Sequence, residues 1–264
     1  MIDARLGWAV AALFASAGAL AQGPRVSGGK MGAQTNVVLV HGAFADGSSW
    51  RHVLPLLEAK NLHVAAVQLP ETSFQDDVAA TRRLVSLQKG AVVLVGHSYG
   101  GMVITAAADD PNVKALVYVT AFAPEQGESA GDLIARFPAP AGGAHIVPQA
   151  GDFLWLDPAV YREMFCADVE AKEARVMAAV QKPIAKSAFA EKLNAAARWH
   201  ELPSWYVVAD KDQMVSPELE RFLAKRLRAT TVTLPTSHVP MISRPAEVAK
   251  VIVAAAEFKQ KPAP

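Results

Sequence analysis

The sequence predicts an α/β protein: a mostly parallel sheet with helices on both faces and a helical cap insertion. Three observations predict it. Short apolar runs alternate with helical patterns from Asn36 onward. The runs are apolar without alternation, as strands covered on both faces are. One long stretch, from Pro124 to Leu202, breaks the rhythm and carries no convincing strand.

The elements follow in order. Val37–Val40 reads as a buried strand, Trp50–Lys60 as a helix, and Val64–Val67 as the next strand. Gln75–Leu87 is a predicted helix, acidic at its start and basic near its end, as the helix dipole favours. Ala91–Val95 is a strand and Gly101–Ala108 a helix. Lys114–Val119, Trp205–Ala209 and Thr231–Leu234 complete the strands. Ser216 and Pro217 open a helix with a cap and a first-turn proline, and Pro245 opens the last helix, to about Phe258. Between Pro124 and Leu202, residues 138–143 read as a loop, and 158–180 and 187–199 as helical.

Composition bounds the function. The chain has 264 residues, 52% of them hydrophobic and 19% charged, which is ample for a core. A net charge of +1 carries no basic imprint of a nucleic-acid partner. Residues 1–21 read as a cleaved export signal: Arg5, an apolar stretch from Leu6 to Leu20, and a small-x-small site at Ala19–Ala21. That stretch is shorter than the ~20 residues a helical span needs, so no membrane association is expected after cleavage and the expected location is periplasmic or secreted. Residues 22–35 read as a flexible linker, 36–123 and 203–264 as the core, and 124–202 as the cap. Cys166 is the only cysteine, so a monomer has no internal disulfide, and its apolar neighbours point to a buried, inert thiol.

The chemistry centres on Gly96-His97-Ser98-Tyr99-Gly100. This is a G-x-S-x-G pattern between a strand and a helix, the context of a nucleophile elbow, in which a strained turn lifts the serine above the sheet. A serine hydroxyl needs a base. Of seven histidines, His238 follows the last strand in a loop at the carboxyl edge, whereas His52, His63, His145 and His200 fall in helical, strand-edge or cap positions. His97 is expected to point away from the nucleophile and pack. An acid must hold the histidine's tautomer. Asp210 and Asp212 both follow the strand ending at Ala209; Asp212 lies deeper in the loop and is favoured, while Asp210 can shape the turn. An oxyanion site would take the N–H of Tyr99, after the nucleophile, and that of Ala43, in the loop His41-Gly42-Ala43-Phe44, with the His41 ring bracing that loop.

These residues carry a resemblance. His41-Gly42-Ala43-Phe44, then Trp50, Leu54, Pro55 and Leu57, then Gly96–Gly101, with Asp212 and Ser237-His238-Val239-Pro240, resemble the α/β-hydrolase family over about Asn36–Ala256. The branch resembles small cap-bearing esterases related to plant methylesterases and hydroxynitrile lyases. The resemblance implies a serine hydrolase with no metal and no organic cofactor. Lyases of this branch carry a threonine at the position of Gly42 and a lysine at that of Val239, so the resemblance favours hydrolysis. The expectation is a carboxylesterase, monomeric or homodimeric, acting on small to medium apolar or aromatic esters. Amide or lactone hydrolysis, carbon–carbon hydrolysis and perhydrolysis share the same machinery, and a non-catalytic binding protein shares the scaffold. Ser98, Asp212 and His238 are the candidate catalytic residues. Gly42, Phe44, Phe122, Phe153, Trp155, Phe165 and Val239 are the candidate substrate contacts.

Overall fold

The computed structural model describes residues 35–259. The predicted export signal, and the predicted linker up to residue 34, lie outside the described residues. In chain order the strands are β1 (Asn36–Val40), β2 (His63–Ala66), β3 (Val92–His97), β4 (Val113–Val119), β5 (Ile146–Gln149), β6 (Phe153–Leu156), β7 (Ile184–Ala185), β8 (Ser204–Ala209) and β9 (Thr230–Leu234). The helices are α1 (Leu54–Glu58), α2 (Phe74–Ser86), α3 (Gly100–Ala107), α4 (Ala130–Ile134), α5 (Tyr161–Phe165), α6 (Ala171–Val180), α7 (Lys186–Ala190), α8 (Pro217–Arg226), α9 (Pro240–Ser243) and α10 (Pro245–Glu257).

Six strands form one sheet in the order β2-β1-β3-β4-β8-β9, every pair parallel. β1, β3 and β8 are buried along their whole length and β4 at all but Lys114, so both faces are covered. α10 packs on β3, β4 and β8 and against α1, while α2 packs on α3, which lies on β1, β3 and β4. α2 starts where the Ser73 hydroxyl accepts the Asp76 N–H; α8 starts where the Ser216 hydroxyl accepts that of Glu218. From β1 the chain crosses to β2 on one side, then returns to β3 on the other. The carboxyl ends of β1 and β3 therefore flank a topological switch point, where ligands bind in sheets of this kind.

All six predicted core strands are present. The predicted helix at Trp50–Lys60 is shorter, with a 3-10 turn at Gly47–Trp50 and α1 after it. The cap departs furthest from expectation, because it is not purely helical. β5, β6 and β7 form an antiparallel three-stranded sheet there. β5 and β6 are joined across Ala150-Gly151-Asp152, with φ +76° at Gly151 and +58° at Asp152, the left-handed backbone that a short hairpin loop uses. Pro148 in β5 hid the strand; at the edge of this sheet it is tolerated.

The predicted helix over 158–180 is two helices, α5 and α6. That over 187–199 survives only as α7 and a 3-10 turn at Arg198–His200. Tertiary hydrogen bonds override its propensity: the Leu193 N–H donates to the Glu128 carbonyl (2.9 Å) and the Leu193 carbonyl accepts from the Gly127 N–H (2.7 Å).

Candidate active site

Ser98 follows β3 directly and has φ +52°, a left-handed conformation that costs a non-glycine residue about 1–3 kcal/mol. The strain is held by neighbours. The Ser98 N–H donates to the Val119 carbonyl (3.1 Å), and its carbonyl accepts from the N–H groups of Gly101 (3.0 Å) and Phe122 (3.1 Å). A Cβ on Gly100 would lie 2.6 Å from the His41 carbonyl oxygen, so a side chain there would push β1 and α3 apart. The serine is 7% exposed, beneath the cap.

His238 lies after β9, and its Nδ1 meets Asp212 Oδ2 at 2.5 Å with both side chains buried. Nδ1–H donates to the carboxylate, which leaves the lone pair on Nε2. The other Asp212 oxygen, Oδ1, accepts the N–H groups of Met214 (2.6 Å) and Val215 (2.9 Å). Asp210 is instead paired with Arg221 near the surface. Of the two candidate aspartates, the fold brings Asp212 to the histidine.

The His238 carbonyl is tied to residues on both sides of the elbow, accepting from His97 Nε2 (2.8 Å) and the Thr120 hydroxyl (3.1 Å). His97 was expected to be packed rather than catalytic, and its ring is buried; this bond adds a tie to the His238 loop. The two ring centroids lie 4.7 Å apart, and His97 holds the His238 loop against β3. Burial keeps His97 neutral by lowering its pKa well below the ordinary value.

The loop after β1 runs alongside. A Cβ at Gly42 would meet the Ser98 Cβ at 2.7 Å and His97 Nδ1 at 2.9 Å, so only glycine lets this backbone lie on the elbow. His41 braces it as expected. Its Nδ1–H donates to the Gly42 carbonyl (2.9 Å), its Nε2 accepts the Leu69 N–H (3.0 Å), and burial lowers its pKa to about 4. Among the described residues, neither the Ala43 nor the Tyr99 backbone N–H donates to a protein acceptor, although both residues are buried. The Tyr99 hydroxyl donates to Asp77 Oδ2 (2.8 Å). Asp77 also accepts the Glu71 N–H, and burial raises its pKa to about 6. Nothing in the sequence pattern marked Glu71 and Asp77, because two acids in a loop and a helix start read as solvent-facing.

The cap reaches the site through a few side chains. Phe165 packs edge-on against His238, ring centroids 5.0 Å apart, and against His97. Phe189 packs on Tyr99 and Phe44. The Tyr161 hydroxyl donates to the carbonyl of Phe44, itself at φ +59°. Asp168, between α5 and α6, accepts from the Ser237 hydroxyl. Sequence reasoning counted Tyr161 and Phe189 among the cap aromatics but did not select them as substrate contacts; an aromatic in a cap carries no signal of which way it faces.

Phe122 and Val239 are buried next to the elbow and next to His238. Phe153 and Trp155 share one face of β6, half-buried, and are not among the apolar residues packed on the core, whereas Leu154 of the opposite face is. Cys166 is buried, with its thiol pushed up to about 12 by desolvation. Among the described residues, no group of three or more His, Cys, Asp or Glu side chains could hold a metal ion.

Comparison with known proteins fits this geometry. The family description "Alpha/beta hydrolase family" matches residues 37–251. Methylesterase 8 of Arabidopsis thaliana is 26% identical over 250 residues, spanning 83% of this chain and 89% of that protein. The pyrethroid hydrolase of Sphingobium wenxiniae is 26% identical over 254 residues, spanning 87% and 89%. Among solved structures, polyneuridine aldehyde esterase superposes with a TM-score of 0.74 at 20% identity, covering 85% of this chain and 100% of that one, a likeness of fold.

Proposed function

The chain belongs to the α/β-hydrolase family and is a hydrolase, and from that premise we propose that it is a serine carboxylesterase acting on small to medium apolar or aromatic esters. The observation that carries this reading is the buried 2.5 Å contact between His238 Nδ1 and Asp212 Oδ2, in a loop tied to the strained Ser98 turn.

Ser98 Oγ attacks the ester carbonyl carbon while its proton passes to His238 Nε2. Asp212 holds the imidazole tautomer and stabilises the imidazolium that forms. The carbonyl oxygen gains negative charge and is received by the N–H groups of Ala43 and Tyr99, each such donor contributing about 3–4 kcal/mol. Collapse breaks the ester C–O bond, and the leaving alkoxide takes the proton from His238. Water then attacks the acyl-enzyme with His238 as base, and the acid departs as Ser98 regains its proton.

Gly42 and Val239 leave the site without the hydroxyl and ammonium that the resemblance associates with cyanohydrin cleavage, which favours hydrolysis. Phe44, Phe122 and Phe165 supply apolar surface beside Ser98 and His238 and suit an apolar or aromatic ester. The test is hydrolysis of p-nitrophenyl acetate and butyrate. Wild type should turn both over and Ser98→Ala should lose activity by about 10⁴-fold or more. An active Ser98→Ala sinks the reading.

A further inference from the structure

A second acid lies behind Asp212. Glu220, in the first turn of α8, is fully buried, and its carboxyl lies close to that of Asp212, both residues bonding to the Ala209 peptide. One of its oxygens, Oε2, accepts the Ala209 N–H (2.9 Å); the other, Oε1, has no donor among the described residues. Two buried carboxyls in contact cannot both be ionised, so one proton must sit between them. The donors decide where. Asp212 receives three: His238 Nδ1–H and the N–H groups of Met214 and Val215. Glu220 receives one. The charge therefore stays on Asp212 and the proton on Glu220.

The other titratable groups facing Glu220 do not reverse this. Arg221 on α8 is half-exposed and engaged with Asp210. Tyr206 on β8 donates its hydroxyl to the Ala121 carbonyl. His238 is engaged with Asp212 Oδ2.

We propose that Glu220 is a positioning residue for the esterase reaction: its protonated carboxyl donates from Oε1 to the Asp212 carboxylate and fixes that carboxylate against His238. The inference rests on the esterase reading only for its catalytic consequence. The fourth donor orients the Asp212 carboxylate toward His238 Nδ1–H, so the imidazole keeps the tautomer that leaves Nε2 free to take the Ser98 proton. Burial and the Asp212 charge both push the Glu220 carboxyl well above its usual range, in agreement with the geometry.

The test compares Glu220→Gln and Glu220→Leu with wild type. A glutamine amide accepts from Ala209 N–H and donates to Asp212 just as a protonated glutamate does. Glu220→Gln should keep kcat within about twofold and leave the acid limb of kcat/KM in place. Glu220→Leu removes the donor and leaves the Asp212 carboxylate free to turn away from His238, so kcat should fall about tenfold. A Glu220→Gln limb displaced downward by about half a pH unit or more overturns the proposal, because it means that a negative charge was removed.

A second readout needs no activity. A carboxyl whose pKa is raised on folding contributes stability that is complete below its unfolded value, ~4.3, and is lost as pH rises through the folded value. Wild type should therefore lose urea resistance relative to Glu220→Gln between pH 5 and pH 8, and the gap between their midpoints should widen. A constant gap overturns the proposal even if Glu220→Leu fails to fold. Loss of the esterase reading through an active Ser98→Ala leaves this stability result standing, so the two failures are distinguishable.

Discussion

At the carboxyl edge of the sheet, the groups that meet are held by residues at the strand ends: Ser98 N–H donates to the Val119 carbonyl, and His97 and Thr120, at the ends of β3 and β4, donate to the His238 carbonyl. In the cap, what reaches the same place is side chain: the Tyr161 hydroxyl, the Phe165 and Phe189 rings and the Asp168 carboxylate. The first arrangement is fixed by parallel register and cannot shift without breaking strands. The second changes with one substitution and leaves the sheet untouched. A reaction needs its nucleophile and base held within a fraction of an ångström, whereas a substrate preference needs only a wall of suitable shape. The edge therefore supplies the chemistry in the proposed reaction and the cap its selectivity.

The widest separation between the regions should come from the acid. Asp212→Asn should lower kcat about 10⁴-fold, by allowing the wrong histidine tautomer, while Asp210→Asn changes it less than twofold, since Asp210 only pairs with Arg221 at the surface. Equal losses at both positions would erase the distinction between chemistry and support. In the cap, Phe165→Leu should shift kcat/KM by about tenfold at most, mainly through KM, and reorder preference between aromatic and aliphatic esters, as a changed apolar wall does. A loss approaching that of Asp212→Asn would place the cap in the chemistry. The smallest catalytic effect belongs to the hairpin: Asp152→Val, at φ +58°, should cost about 1–3 kcal/mol in urea stability with kcat within twofold. An unchanged stability would mean that the β5–β6 turn does not hold the cap.

The same contrast governs what was legible in the sequence. The four inner strands were readable because burial on both faces demands continuous apolar runs such as Val92–Val95, and that signal is local, whereas the edge strands β2 and β9 are more exposed. The elbow was readable because Gly96 and Gly100 must be small in any such turn. The acid was narrowed to two residues and no further. What separates Asp212 from Asp210 is a turn in which Asp212 accepts Met214 and Val215 N–H groups, a geometry that the spacing does not reveal.

The cap was misread for physical reasons. Pro148 demoted a strand that survives at a sheet edge, and β7 is too short to carry a period. The helix expected over 187–199 gave way to hydrogen bonds with Gly127 and Glu128, some sixty residues away. Glu220 was visible only as a first-turn acid on α8, where helices ordinarily place acids. Its burial against Asp212 is a property of the packed sheet edge.

The central claim, that Ser98 is the nucleophile, is tested most directly by trapping the covalent intermediate. Wild type and Ser98→Ala would be exposed to p-nitrophenyl acetate, quenched in acid and mapped by peptide mass spectrometry. The account predicts one acetyl group on the peptide that contains Ser98 in wild type and none there in Ser98→Ala. Acetyl on another residue that tracks turnover, or turnover retained in Ser98→Ala, would contradict it.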